Sequence, residues 1–163
     1  MTDTINQINR AKELLIRARH ASMATVNEDG SPHNTPFMFL FDEDLKYIYW
    51  GSHPDSEHSE NLLRTSKAFI VIYDAIEKGG LYIKVETAQP LKGEELRIAL
   101  NIHNKARLAR GQDPLALSYY GAPNPQRMWS AKTMQFWVNG TKRDKEGNVT
   151  RDIRIEIKRD DLV

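Results

Sequence analysis

The chain of 163 residues contains no cysteine, which excludes disulfides, thiolate metal sites and cysteine nucleophiles. It also lacks the unbroken run of about 20 apolar residues that a membrane helix needs, and its first residues lack the apolar core of a signal peptide. Charge of one sign is not in excess either, because 23 basic residues face 22 acidic ones. Nucleic-acid binding relies on a basic field that displaces counterions. We therefore expect a cytoplasmic protein that binds neither nucleic acid nor membranes.

The composition is that of an ordinary globular domain, with 40% hydrophobic and 28% charged residues. No internal repeat, low-complexity tract or linker divides the chain. It contains no tight group of histidines and carboxylates such as His-Glu-x-x-His, so we expect no bound metal. These observations predict a single domain over residues 1–163.

The pattern of apolar residues predicts one N-terminal helix and then a series of short strands. Residues 3–20 place apolar side chains at steps of three and four, which is typical of a helix with one buried face. Seven strands follow, and a short helix over residues 55–64 interrupts them. We predict these strands at residues 21–26, 35–41, 46–50, 69–73, 81–87, 134–139 and 153–158.

Hairpin turns join most of these strands, which favours an antiparallel barrel over a parallel α/β sheet. The clearest of the turns is Asn27-Glu28-Asp29-Gly30, because glycine accepts the positive φ that a tight hairpin needs. The predicted fold class is therefore mainly β with flanking helices. A barrel closed by hydrogen bonds would also remove the exposed edges that so many strands offer.

A long insertion separates the fifth strand from the sixth, at about residues 92–131. Its first part, residues 94–110, has the pattern of a helix. Its second part carries the aromatic residues Tyr119, Tyr120 and Trp129. Insertions of this length often form lids or binding surfaces, but aromatic side chains also pack such segments onto a core. The sequence leaves both interpretations open.

The end of the third strand is the strongest candidate for a binding site. There an aromatic strand gives way to a short helix, and serines and a histidine fall at the junction. The first N–H groups of a helix have no partner within it and lie at the positive end of its dipole, so such a junction suits a phosphate. Serine is also favoured at helix starts with no ligand present. The candidate residues are Trp50, Gly51, Ser52, Ser56, His58 and Asn61.

The order of these segments resembles the pyridoxamine 5′-phosphate oxidase-like family of FMN-binding split barrels. Residues 22–26, the turn with Gly30 and Pro32, and residues 35–38 are similar to the family's first two strands. Residues 47–52 are similar to its third strand, and the junction that follows is similar to its phosphate turn. The resemblance implies an antiparallel Greek-key split β-barrel.

The same resemblance implies that the cofactor is FMN, held at the interface of a homodimer. Ser52 and Ser56 would contact its phosphate. The second strand would run beside the isoalloxazine ring, although core packing is the expected role of one of its side chains, that of Phe37. The ring-lining residues are Thr35, Pro36, Phe37 and Met38.

The family's chemistry implies a flavin-dependent oxidoreductase in which a small aromatic or heterocyclic substrate exchanges hydride with flavin N5. The ring itself carries the chemistry, so no catalytic residue is named. A non-catalytic carrier or sensor on the same fold is the alternative, and some family members use a deazaflavin or haem. Oxidation of pyridoxamine phosphate is not expected, because that activity in the family needs further basic residues near the C-terminus to bind the substrate phosphate. Arg151 and Arg154 are present there, but Arg154 falls on a polar face with no evident partner.

Two residues of the phosphate turn depart from the family's pattern. Where many members place an arginine and a lysine, this chain has Glu57 and His58. A carboxylate repels a phosphate, so Glu57 is compatible with the site only if it points away along the helix. The missing charge could come from Arg64, Lys67 or Lys84.

Overall fold

A computed structural model describes residues 2–74 and 79–163. Within these residues the chain forms three α-helices and eight strands. The helices are α1 (Thr2–Arg17), α2 (Glu57–Thr65) and α3 (Gly93–Leu108). The strands are β1 (His20–Val26), β2 (Pro32–Met38), β3 (Leu40–Phe41), β4 (Tyr47–Ser52), β5 (Ala68–Tyr73), β6 (Gly80–Pro90), β7 (Arg127–Arg143) and β8 (Val149–Ile157). Short 3₁₀ turns lie at Leu117–Tyr120 and Arg159–Asp161.

The strands form one antiparallel sheet in the order β2-β1-β5-β6-β7-β4-β3, and β8 also pairs with β7. This arrangement confirms the predicted fold class, a mainly antiparallel split barrel with flanking helices. Among the described residues, hydrogen bonding does not close the sheet, because β2 and β3 are the two ends of this strand order. An open sheet of this kind agrees with the split barrel that the resemblance implies. The two prolines of β2, Pro32 and Pro36, explain why β2 is an end strand, because proline has no N–H to donate and is confined to sheet edges.

Side chains fill the gap that the backbone leaves open between β2 and β4. Phe37 meets the ring of Trp50 edge-on, with ring centroids 5.9 Å apart and an interplanar angle of 77°. Both side chains are buried. Between β2 and β4, aromatic side chains therefore make the contact that backbone hydrogen bonds make between the other neighbouring strands.

Two boundaries differ from the predicted ones because of strand pairing. Helix α1 ends at Arg17, since His20 already pairs with Met38 in the first hairpin. Strand β7 begins at Arg127 and not near residue 134, because its alternation changes phase at Met134. Thr133 pairs with Val85 and Gln135 with Lys84, so Met134 is the extra residue of a bulge.

The early start of β7 moves Trp129 out of the insertion and into the barrel. Trp129 is fully buried and pairs with Trp50 across β4 and β7. The two indole rings stack with centroids 6.2 Å apart and planes only 15° from parallel. The placement of Trp129 in the aromatic insertion was therefore wrong, because it is a core residue.

A second, smaller core lies outside the barrel, where α3 packs on the outer face of β4 and β7. Leu96, Ala99 and Leu100 of the helix contact Tyr49 and Met128 of the sheet there. These contacts hold α3 against β4, the strand that ends at the candidate site.

The outer face of β5, β6 and β7 carries a cluster of partly exposed rings, which we call the aromatic face: Phe69, Tyr82 and Trp137. The ring of Phe69 lies 6.3 Å from Tyr82 and 5.9 Å from Trp137. The guanidinium of Arg154 lies over two of the rings, 4.2 Å from the centroid of Tyr82 and 4.9 Å from that of Phe69. Arg154 therefore has partners after all, and they are aromatic rings.

No helix in the described part of the chain is long and apolar enough to cross a bilayer.

Candidate functional site

At the junction of β4 and α2, three serines and a histidine converge into what we call the hydroxyl cluster: Ser52, Ser56, His58 and Ser59. The Oγ of Ser52 lies 2.7 Å from Nε2 of His58 and 3.1 Å from the Oγ of Ser56. The hydroxyl of Ser59 lies 3.2 Å from that of Ser52 and 2.9 Å from that of Ser56. The structure therefore brings three predicted residues together and adds Ser59, which follows Ser56 by one helical turn.

The hydroxyl of Ser56 does not cap the helix, although Ser56 is the N-cap residue of α2. Its Oγ makes no capping hydrogen bond and lies 2.8 Å from the carbonyl oxygen of His53. The amides of the first turn of α2 therefore gain no side-chain partner from Ser56, and helix geometry provides none. Hydroxyl donors and free amides at a positive helix end are a donor set that suits the oxygens of a phosphate.

The surroundings of His58 favour the neutral form of its imidazole. Burial lowers its pKa, and the neighbouring His33 lowers it further. The two rings lie nearly parallel, with centroids 6.4 Å apart. His33 belongs to β2 and was not predicted, because only the fold brings that strand beside α2.

The carboxylate of Glu57 is paired with a histidine of β2. Its Oε2 lies 3.3 Å from Nδ1 of His33, and the side chain is mostly exposed. Within the described residues, Glu57 makes no side-chain hydrogen bond to the hydroxyls of the cluster.

The cations proposed to replace the family's arginine and lysine are not in hydrogen-bonding contact with the cluster within the described residues. Arg64 donates to the carbonyl of Val26 and to Oδ1 of Asn61. Lys84 pairs with Glu86 at 3.2 Å, and no contact of Lys67 with the cluster is present in the described part. In the sheet, the cation opposite Ser52 is Arg127, its partner in the β4–β7 register. The guanidinium of Arg127 donates to the carbonyls of Asn124 and Gln126.

The amide of Asn61 is used to attach α2 to the end of β1. Its Nδ2 donates to Oγ1 of Thr25 at 3.1 Å and to Oδ1 of Asn27 at 2.7 Å. Asn61 is buried and is not one of the groups that converge on Ser52. A direct contact of Asn61 with a cofactor stays a prediction.

The four residues predicted to line a flavin ring form the second half of β2. Phe37 is turned into the core, Thr35 is partly buried, and Pro36 is exposed. Met38 is 52% exposed and lies at the mouth of a cavity beside β4. The backbone of β2 pairs with β1 on one side only, so its other edge is open to a ligand.

That cavity, of about 250 Å³, lies between the barrel and the segment that follows α3. We call it the basic cavity, because His103, Arg107 and Arg110 line it opposite Met38 and Gly51. In the part of the chain that the structure describes, no acidic side chain lines it. An anionic group on a small molecule would therefore be attracted into it.

The two tyrosines of the insertion differ in their surroundings. Tyr120 is buried, and its hydroxyl lies 2.9 Å from Nδ1 of His103. Burial raises the pKa of Tyr120 to about 12. Tyr119 lines the basic cavity and is partly exposed. A Cβ on Gly51 would come within 3.3 Å of the Tyr120 ring, so glycine is what lets this ring lie against β4.

Two half-buried histidines, His58 and His103, predict that the protein, freed of any ligand, loses stability below pH 6.5. Burial is the main cause that lowers the pKa of both His58 and His103 from 6.5. Above that pH, both rings are neutral in the folded and unfolded chain. As the pH falls, the unfolded chain takes up protons first, and the free energy of unfolding drops. Thermal denaturation between pH 7.5 and 5 should show a smaller drop for a His58→Gln, His103→Gln variant, and an equal drop would contradict this origin.

Comparison with known proteins agrees with this fold. A protein of the pyridoxinephosphate oxidase family from Clostridium acetobutylicum has 15% identity and a TM-score of 0.64, with 98% of this chain and 99% of that chain covered. The haem storage protein HutZ from Vibrio cholerae has 15% identity and a TM-score of 0.62, with 80% and 92% covered. An F420 reductase has 16% identity and a TM-score of 0.54, with 77% and 94% covered. These similarities show a shared fold.

No curated protein matches the chain. The sequence model of the pyridoxamine 5′-phosphate oxidase family, however, matches residues 9–138, which include the second half of α1, the hydroxyl cluster, the basic cavity and most of the sheet. The chain therefore belongs to the pyridoxamine 5′-phosphate oxidase family.

Proposed function

We propose that this protein is a cytoplasmic, homodimeric, FMN-dependent oxidoreductase of a small aromatic or heterocyclic substrate. The observation that supports this function best is the hydroxyl cluster at the start of α2. Its three hydroxyls lie within 3.2 Å of one another at the first turn of the helix, whose first amide N–H groups have no partner within the helix. These groups fit the phosphate of a flavin mononucleotide.

His58 supplies the positive charge that the phosphate turn otherwise lacks. A phosphate beside the imidazole favours the protonated ring and raises its pKa. His58 therefore takes up a proton when the phosphate binds. The Oγ of Ser52, 2.7 Å from Nε2 of His58, keeps the ring in place. Glu57, paired with His33, does not oppose the binding.

From the hydroxyl cluster, the open edge of β2 leads to the basic cavity through Met38. A flavin along this edge would present its ring to the cavity, and when bound it would supply hydride-transfer chemistry at N5. The residues of the cavity bind and orient the substrate. Arg107 and Arg110 attract an anionic substituent, while Tyr119 provides an aromatic surface for its ring.

Mixing the protein with FMN, followed by desalting, tests the cofactor. We expect a yellow protein with flavin absorbance, because the phosphate finds its donors already in place. A colourless protein after desalting would contradict FMN binding. The absorption spectrum of the protein as purified also distinguishes FMN from a deazaflavin or haem, which the F420 reductase and HutZ relatives suggest as alternatives. Oxidation of a nicotinamide donor with candidate acceptors separates an enzyme from a non-catalytic carrier.

The aromatic face supports the homodimer, since partly exposed rings of this size are typical of interfaces. We expect the protein to sediment at twice the mass of the chain, and a Trp137→Glu variant to sediment as a monomer. The substitution buries a charge in the dimer but leaves the monomer's core unchanged, because Trp137 lies on the outer face. A wild-type protein that sediments as a monomer would contradict the proposal.

A further inference from the structure

A second cavity, of about 390 Å³, lies on the other side of α3 from the basic cavity. It opens between the first half of α3 and the outer face of the sheet. We call it the acidic cavity and define it by Asp42, Tyr47, Tyr49, Glu95, Ile98 and Ile102. Nothing in the proposed flavin chemistry uses this cavity.

The charge of this cavity is opposite to that of its neighbour. Asp42 and Glu95 line it, and no lysine, arginine or histidine of the described residues does. Two neighbouring lysines are directed elsewhere. Lys105 pairs with Glu43 at 3.9 Å, and Lys132, the partner of Tyr47 in the sheet, is exposed to solvent. A cation that enters the cavity therefore meets two carboxylates without a competing side chain on the cavity wall.

The walls of the acidic cavity are aromatic and aliphatic. The rings of Tyr47 and Tyr49 lie 6.4 Å apart and are inclined by 35°. Ile98, at 50% exposure, and Ile102 of α3 face them across the cavity. Ring faces attract organic cations, most strongly where water is excluded. The walls therefore suit an apolar molecule that carries a positive charge.

Tyr49 contributes its ring to the wall of the acidic cavity, and the residue is only 7% exposed. Burial raises the pKa of Tyr49 to about 12, and Asp42, Tyr47 and Glu95 add to the effect. The phenol therefore stays protonated at neutral pH and adds no negative charge to the cavity.

We propose that the acidic cavity is a binding site for a small organic cation, an amine or quaternary ammonium with an apolar group attached. Its ammonium lies between Asp42 and Glu95 against the two tyrosine rings, and its apolar part lies on Ile98 and Ile102. Such a site differs from the basic cavity in the charge it selects. One helix thereby separates a site for anions from a site for cations.

The test compares phenethylamine, which is a cation at pH 7, with 2-phenylethanol, its neutral analogue of nearly equal shape. Isoleucine methyl NMR locates the binding, because Ile98 and Ile102 lie in the cavity wall. We expect phenethylamine to shift these two methyl signals and to bind about tenfold more tightly than 2-phenylethanol. Equal affinities, or shifts elsewhere only, would overturn the proposal.

Two substitutions on α3 form a matched pair. Glu95→Gln removes a carboxylate from the cavity, and we expect it to weaken phenethylamine binding by about fivefold or more. Glu94→Gln changes the adjacent residue, which is exposed and pairs with Arg97 at 3.9 Å, and should leave the affinity unchanged. Equal losses in both variants would show only a long-range charge effect and would overturn the site. Neither measurement needs FMN, so its outcome is independent of the proposed flavin function.

Discussion

Replacement of Ser56 by Asp is expected to weaken FMN binding by about 100-fold or more while the protein stays folded. The new carboxylate would lie where the phosphate oxygens bind, and two unit charges about 4 Å apart repel by several kcal/mol at the effective dielectric constant of a protein surface. Aspartate is a favoured N-cap residue, and its charge interacts well with the start of a helix. The substitution is therefore expected to weaken FMN binding without destabilising α2. Fluorescence titration of FMN and thermal denaturation measure the two effects.

The matched control is Ser56→Asn, which has nearly the shape of Asp and no charge. We expect this variant to keep most of its FMN affinity, because an amide can still donate to a phosphate. Equal losses in the two variants would indicate that size and not charge matters at this position. If the Ser56→Asp variant bound FMN with unchanged affinity, the phosphate could not bind at this junction.

Replacement of Trp129 by Ala is expected to lower the free energy of unfolding by about 3–5 kcal/mol, the range typical of a large aromatic residue removed from a core. The side chain is fully buried, and its ring stacks on Trp50 in the middle of the barrel. The cavity left behind cannot be filled without moving strands. Chemical denaturation measures the loss.

Tyr119→Ala is the control, because Tyr119 is an aromatic residue of the neighbouring segment that is 39% exposed. We expect it to cost about 1 kcal/mol or less, as exposed substitutions usually do. A Trp129→Ala variant that is no less stable than Tyr119→Ala would contradict the position of Trp129 in β7. The pair thus separates barrel residues from insertion residues by their stability alone.

The order of the elements could be predicted from the sequence, because hairpin turns and alternating strands are local signals. The start of β7 could not, since the bulge at Met134 reverses the alternation and hides the first half of the strand. The side chains of Trp129 and Ala131 point inward in a phase that only the pairing with β4 reveals. The local pattern of apolar residues therefore did not predict the start of β7, which pairs with β4, β6 and β8 along its length.

Part of the hydroxyl cluster could be predicted because it is formed by residues close together in the sequence. Ser52, Ser56 and His58 lie within one short stretch of chain, and the start of a helix brings such residues together. His33 comes from a different strand, and only the packing of β2 beside α2 places it near His58. The direction of the Glu57 carboxylate depends on that same packing, because His33 is its partner.

The two prolines of β2 affect the tendency of the protein to aggregate. An unpaired strand edge is a template on which foreign chains can add and aggregate. Prolines at sheet edges turn their nitrogens outward, and Pro32 and Pro36, four residues apart, face the same side of the strand. An added strand would lack a donor at both positions. Strand β2 can thus keep one edge unpaired without offering a foreign chain a complete row of hydrogen-bond donors.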